Sequence, residues 1–215
     1  MTADGDLDGA VRKADPERWL ASRFIDEARA RADVVALYAF DHELDRAVRV
    51  TSNTLLAEIR LAWWREVLDE IFAGGPVRRH PVAQALTEAV RRNDHARAPL
   101  EAMIDARVEP LDDFVRWADA VGGSATVLAA RTLDPAVDIV AATLAGRVWG
   151  LLRLRREGRG PIDLAGPLGE AARAASRISV SAFPAIACAT LGRAPKSSPL
   201  EVRGRLVLAV LRGRL

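Results

Sequence analysis

Apolar residues recur at three- and four-residue steps through most of this chain, and the runs are punctuated by Gly, Pro and Asp rather than by hairpin signals. Pro16 starts a short helix with Asp15 as its N-cap. A second helix is expected over 28–48, with Val34, Val35, Leu37, Tyr38 and Leu44 inward. Thr54 opens a third, in which Leu55, Ile59, Ala62, Trp63, Val67 and Ile71 keep the helical step until Gly74-Gly75-Pro76. Further helices are expected from His80-Pro81 to 92, over 99–107, from an Asp112 cap to 121, and on to 133 after an interruption at Gly122-Gly123-Ser124. Asp134-Pro135 should cap a helix running to 155, and 169–179, 183–191 and 199–212 complete the series. Strand-type alternation with turn chemistry is absent, so the pattern predicts an all-α bundle forming a single domain over 16–215.

Residues 1–15 read as a mobile acidic tail. Asp4, Asp6, Asp8 and Gly9, with Asp15 in the closing place, mimic the opening of a calcium loop. The closing bidentate Glu and the preceding helix are missing, so solvation is the expected role. The opening residues hold no apolar signal region, and no apolar run approaches the roughly 18 residues of a membrane span. The protein is therefore expected to stay in the cytoplasmic compartment where it is made.

Composition narrows the chemistry. Half the residues are apolar but only 5% are aromatic, so Ala, Val and Leu must build the core. The net charge is +2; its basic residues are nearly all Arg, interspersed with acids, which argues against nucleic acid as a partner. Cys188 is alone in an apolar stretch, where an inert buried thiol is expected. His42, His80 and His95 lack ligand spacing. Glu66, Asp69 and Glu70 belong to a solvated face expected to pair with arginines, and Gly122-Gly123 to a close backbone approach more than to a phosphate cradle. Asp41 and Asp45 stand one turn apart with Arg49 a further turn on, a ladder in which the arginine offsets two like charges.

Three stretches carry a resemblance. Ala36-Leu37-Tyr38-Ala39-Phe40 is similar to the helix leading into the first aspartate motif of the squalene and phytoene synthases. The run from Glu58 to Glu66, followed by Gly74 and His80-Pro81-Val82, resembles that family's next helix and loop. The segment from Trp117 to Ser124 resembles its later motif that runs into a glycine pair. The three occur in the family's order, across about residues 18–190. The resemblance implies an isoprenoid-synthase-like helical bundle, and chemistry in which Mg²⁺ bridges a prenyl diphosphate to two facing acidic clusters.

The departures fall on those clusters. Asp45 occupies the first motif position, but Arg46 and Arg49 replace later aspartates, leaving Asp41 and Asp45 as the remnant. The second cluster should lie between Gly146 and Leu154, a stretch without an acid; Asp134 and Asp138 come three turns early. Trp117 replaces a tyrosine. Tyr38, Trp117, Gly122, Gly123 and Trp149 are the expected lining of the inherited cavity. The expectation is thus a non-catalytic relative with no metal and no cofactor. It is most similar to the divergent branch related to mitochondrial factors for assembly of respiratory complex I. That branch implies a protein partner among respiratory-complex subunits and peripheral contact with the inner membrane. The alternatives are an active prenyl-diphosphate-condensing synthase that keeps Mg²⁺ on relocated ligands, and an isoprenoid or lipid carrier. The segment 200–215, apolar on most sides with Arg203, Arg205, Arg212 and Arg214 in two opposed pairs, is expected to pack on the body; membrane-surface or partner binding is the alternative.

Overall fold

The computed structural model describes residues 3–50, 53–194 and 198–215. Among them every regular element is helical. In order these are α1 (Ala3–Ala14), α2 (Pro16–Ser22), α3 (Ala28–Arg49), α4 (Thr54–Phe72), α5 (Pro81–Asn93), α6 (Arg97–Val108), α7 (Phe114–Ala118) and α8 (Ser124–Leu133). They continue with α9 (Ile139–Arg156), α10 (Ala165–Ala174), α11 (Phe183–Ile186) and α12 (Pro199–Arg212).

Helix α3 is the central strut. Its 22 residues span about 33 Å at 1.5 Å per residue. The stretch from Asp33 to Asp41 is buried on every side, because α1, α2, α4, α5, α6 and α8 all pack against it. A helix enclosed this completely cannot show one apolar stripe. Phe40 meets Trp64 of α4 edge-on with centroids 5.3 Å apart. Asp33, the charged residue that opens the enclosed run, is held by Arg92 and by the Asn93 amide at 2.9 Å.

Helix α9 is the second strut. The chain between α7 and α8, Asp119–Gly123, winds as one turn of π-helix, so the expected break at Gly122-Gly123 is a bulge inside a continuous helical path. The expected close approach is there. A Cβ on Gly122 would sit 2.2 Å from the Gly146 carbonyl oxygen, and one on Gly146 would sit 2.3 Å from that of Gly122. Asp119 then grips Arg147 of α9 in a two-pronged ion pair at 2.7 and 2.8 Å.

Several expected ends shift by local chemistry. Asn53, not Thr54, caps α4, and Asp113, not Asp112, caps α7. Asp134 terminates α8, and Asp138 caps α9. The stretch expected as one helix over 183–191 divides into α11 and a 3₁₀ segment over Ala187–Arg193.

The expected tail needs correction. Ala3–Ala14 is a helix whose Leu7 and Val11 are buried, and it packs on α3 and α2; Met1 and Thr2 lie outside the described residues. Two apolar residues one turn apart were enough to dock it. Asp8, read as part of a calcium-like loop, accepts from Trp19 Nε1 at 2.9 Å and pairs with Arg31.

His95, at the α5–α6 junction, is buried with Nε2 3.0 Å from Thr132 Oγ1 of α8, and Asp33, Asp94 and Arg131 are its charged neighbours. Burial, and secondarily Arg131, lower its pKa to about 4. The unfolded chain takes up this proton near pH 6.5 and the folded chain only near 4, so stability falls as pH drops through that window. Urea unfolding from pH 7 to 4 should show a loss of about 3 kcal/mol that His95→Gln removes.

Candidate functional site

Asp41 and Asp45 face the end of the bundle where α2, α3, α6 and α9 converge. Asp41 is 1% exposed, and three arginines from three other helices reach it. Arg18 of α2 donates through Nη2 at 2.5 Å, Arg107 of α6 through Nη2 at 2.5 Å, and Arg153 of α9 through Nη1 at 3.0 Å. Asp45 receives Arg107 through Nε at 3.0 Å and Nη2 at 2.7 Å, and also pairs with Arg153. Asp15, the N-cap of α2, pairs with Arg18 in turn. Three carboxylates thus face three guanidiniums in a charge-balanced cluster that ties four helices together. Arg107 and Arg153 each sit in the last turn of their helix, where the helix dipole favours a cation.

The electrostatics follow from this geometry. Burial, the largest single influence on Asp41, would raise its pKa; Arg18, Arg153 and Arg107 together outweigh it and hold the carboxyl well below the usual carboxylate range. Burial also disfavours charge on Arg18, but Asp15 and Asp41 more than compensate, so it remains a cation. The Arg18 guanidinium lies over the Tyr38 ring, 4.5 Å from its centroid, and burial pushes the Tyr38 phenol up beyond any physiological titration.

A divalent metal does not fit here. Mg²⁺ takes carboxylate oxygens in a near-octahedral shell, and the oxygens of Asp41 and Asp45 are already occupied by guanidinium N–H groups. A dication would also stand beside three fixed cations. No group of three or more His, Cys, Asp or Glu among the described residues is placed to hold a metal ion. The stretch of α9 to which the resemblance assigns a second acidic cluster carries Arg147 and Arg153 instead.

The expected ladder is present only at its outer rung. Arg49 stands 3.7 Å from Asp45 and also pairs with Glu157, while Arg46 turns to Glu43 at 3.3 Å. Asp134 and Asp138 do not join the site: the first accepts from Ser179 Oγ at 2.6 Å, and the second caps α9 while receiving Arg177 at 2.9 Å. Glu66 and Glu70 pair with Arg78, and Asp69 pairs with Arg97.

Of the five expected cavity residues, Trp149 lines a cleft of about 520 Å³ between α2, α3 and α9, whose wall also includes Arg18, His42, Asp45 and Arg153. Trp117 lines a separate cleft of about 230 Å³ beside α6. Tyr38 is sealed beneath Arg18. Gly122 and Gly123 line neither of these clefts: α9 fills the space their missing side chains leave, with Gly146 against the first and Thr143 against the second. Two residues of the first cleft carry a buried donor, Arg18 Nη1 and Trp149 Nε1, without a hydrogen-bond partner among the described residues.

Nothing local in the sequence marks Arg18, Arg107 and Arg153 as partners of this pair. A carboxylate inside an apolar helical run is a signal that a cation must lie opposite, but the partners sit 23, 66 and 112 positions away.

Fold and site together define a class: a helical bundle with an acidic pair on its central helix, closed off by arginine. The family model described as squalene/phytoene synthase matches residues 11–156, about two thirds of the chain. The chain belongs to the squalene/phytoene synthase family. Among curated proteins it is similar to "NADH dehydrogenase (ubiquinone) complex I, assembly factor 6" of Bos taurus, at 34% identity over 103 residues. The proteins of that name from Homo sapiens and Rattus norvegicus are each 32% identical over 103 residues. These alignments cover 48% of this chain and 30% of each relative, so the chain matches under a third of their length.

Proposed function

We propose that this chain is a non-catalytic member of its family that acts as an assembly-type factor for a respiratory complex, beside the inner-membrane surface and without a magnesium requirement. The observation that carries the reading is the arginine closure of Asp41 and Asp45. Carboxylates that hold Mg²⁺ must turn their oxygens to the ion, and each oxygen of this pair already accepts from guanidinium groups fixed from α2, α6 or α9. The names of the similar curated proteins support the assembly role. Disrupting the gene in its source organism should lower the amount of assembled NADH dehydrogenase complex on native gels, and the intact gene should restore it. Unchanged complex in the disrupted strain would contradict the role. Calorimetric titration of the pure protein with MgCl₂ should show no saturable heat; stoichiometric Mg²⁺ binding abolished by Asp45→Asn would count against the pseudoenzyme reading.

One observation favours a second reading, ligand carriage without turnover. Arg18 and Trp149, which line the 520 Å³ cleft, each keep a buried N–H without a partner among the described residues, a demand that a ligand bearing oxygen acceptors would meet. Farnesyl diphosphate titrated in EDTA should then quench Trp149 fluorescence, and absence of quenching would remove this reading.

A further inference from the structure

Helix α12 has two apolar sides. Its inner side, with Leu206 and Ala209 buried, docks on α2 and on the 3₁₀ segment over Ala187–Arg193. On its outer side Leu200 is 78%, Leu211 73% and Leu208 47% exposed. At 100° per residue these leucines and Gly204 fall within an arc of about 80°. Arg203 borders the arc on one side and Arg212 on the other, both exposed. The one acid of the helix, Glu201, is engaged in the capping box with Ser198. Three arginines against one glutamate give α12 a formal +2, as large as the net charge of the whole chain.

We propose that this outer stripe docks on an anionic lipid surface. The leucines enter the boundary between headgroups and acyl chains, and the arginines on the two edges extend their charged ends to the lipid phosphates. Charge selects this occupant. A second copy of the chain would bring two cationic helices together, with like charges bordering both stripes. An anionic bilayer complements the arginines and accepts a convex ridge without a matching groove. The helix lies on the surface; among the described residues no helix is long and apolar enough to cross a membrane. The inference shares the membrane location with the proposed assembly role, but it is tested on isolated protein, so its failure is separable from a failure of that role.

The test is sedimentation with two sets of vesicles, one of phosphatidylcholine and one of phosphatidylcholine with a third phosphatidylglycerol. The protein should bind the anionic vesicles at least about tenfold more tightly than the neutral ones, and 0.5 M salt should release it. Leu200→Gln/Leu211→Gln and Arg203→Gln/Arg212→Gln should each weaken that binding about tenfold or more, with unchanged helical circular dichroism and melting. The proposal is overturned by absence of binding, by equal binding to both vesicle types, or by leucine and arginine variants that bind like the parent. It is also overturned if the parent is a dimer in the ultracentrifuge and the leucine variant dissociates it.

Discussion

Asp41→Ala is expected to destabilise the fold by about 3–5 kcal/mol, because it removes a fully buried carboxylate that accepts hydrogen bonds from three arginines at once. Arg18 and Arg107 are nearly inaccessible to water, so their charge cannot be solvated when Asp41 is lost. In a chain of this size, that loss lowers the melting temperature by about 10 °C or more. Asp41→Asn keeps the shape and loses the charge, so it should fall almost as far. Glu66→Ala, whose carboxylate meets Arg78 on the surface, should change stability by no more than about 0.5 kcal/mol. Because the Asp41 pKa is depressed, its contribution is present above the usual carboxylate pKa and is lost only as strong acid protonates the folded chain. The measurement is urea unfolding of the parent and three variants at pH 7. Equal stability of Asp41→Ala and parent would mean that the cluster does not hold the helices together.

The second large effect is expected at the glycine contact. A methyl group on Gly122 or Gly146 would stand 2.2 or 2.3 Å from a backbone carbonyl oxygen, and backbone cannot rotate aside as a side chain can. Helix α9 would have to move away from the π-turn, loosening the Asp119–Arg147 pair and shifting Arg153 relative to Asp41. Gly122→Ala or Gly146→Ala should therefore cost about 3 kcal/mol or more and lower soluble yield. Gly204→Ala is the control: a Cβ there meets nothing within 4 Å and adds helix propensity, so stability should rise by a few tenths to about 1 kcal/mol. A Gly146→Ala chain as stable as the parent would overturn this view of the α9 contact.

How much of this could be read from the chain divides along physical lines. Helix type is legible wherever a local pattern survives, as in α4 and α12, although α4 buries Leu61, Trp64 and Leu68 and leaves Leu55, Ile59 and Ala62 of the expected stripe exposed. The acidic tail concealed α1 because Leu7 and Val11 are too few to register as a stripe, and only the groove on α3 gives them meaning. The acidic pair on α3 was legible because its partners in the motif are local, one turn apart. The arginines that decide its chemistry were not, since ion pairing between helices depends on which ends the fold brings together. Sequence separated the glycine pair from a cavity only as an alternative. The opposing Gly146 and Gly150 of α9 make it a contact between backbones.

In the proposed function Asp41 and Asp45 hold arginines rather than magnesium. The most direct test is incubation of the pure protein with radiolabelled farnesyl and geranylgeranyl diphosphates, Mg²⁺ and NADPH, followed by extraction of products. No coupled hydrocarbon should form, and the same label should be recovered with or without Mg²⁺. A Mg²⁺-dependent C30 or C40 product, lost in Asp45→Asn, would contradict that function and return the protein to the synthases.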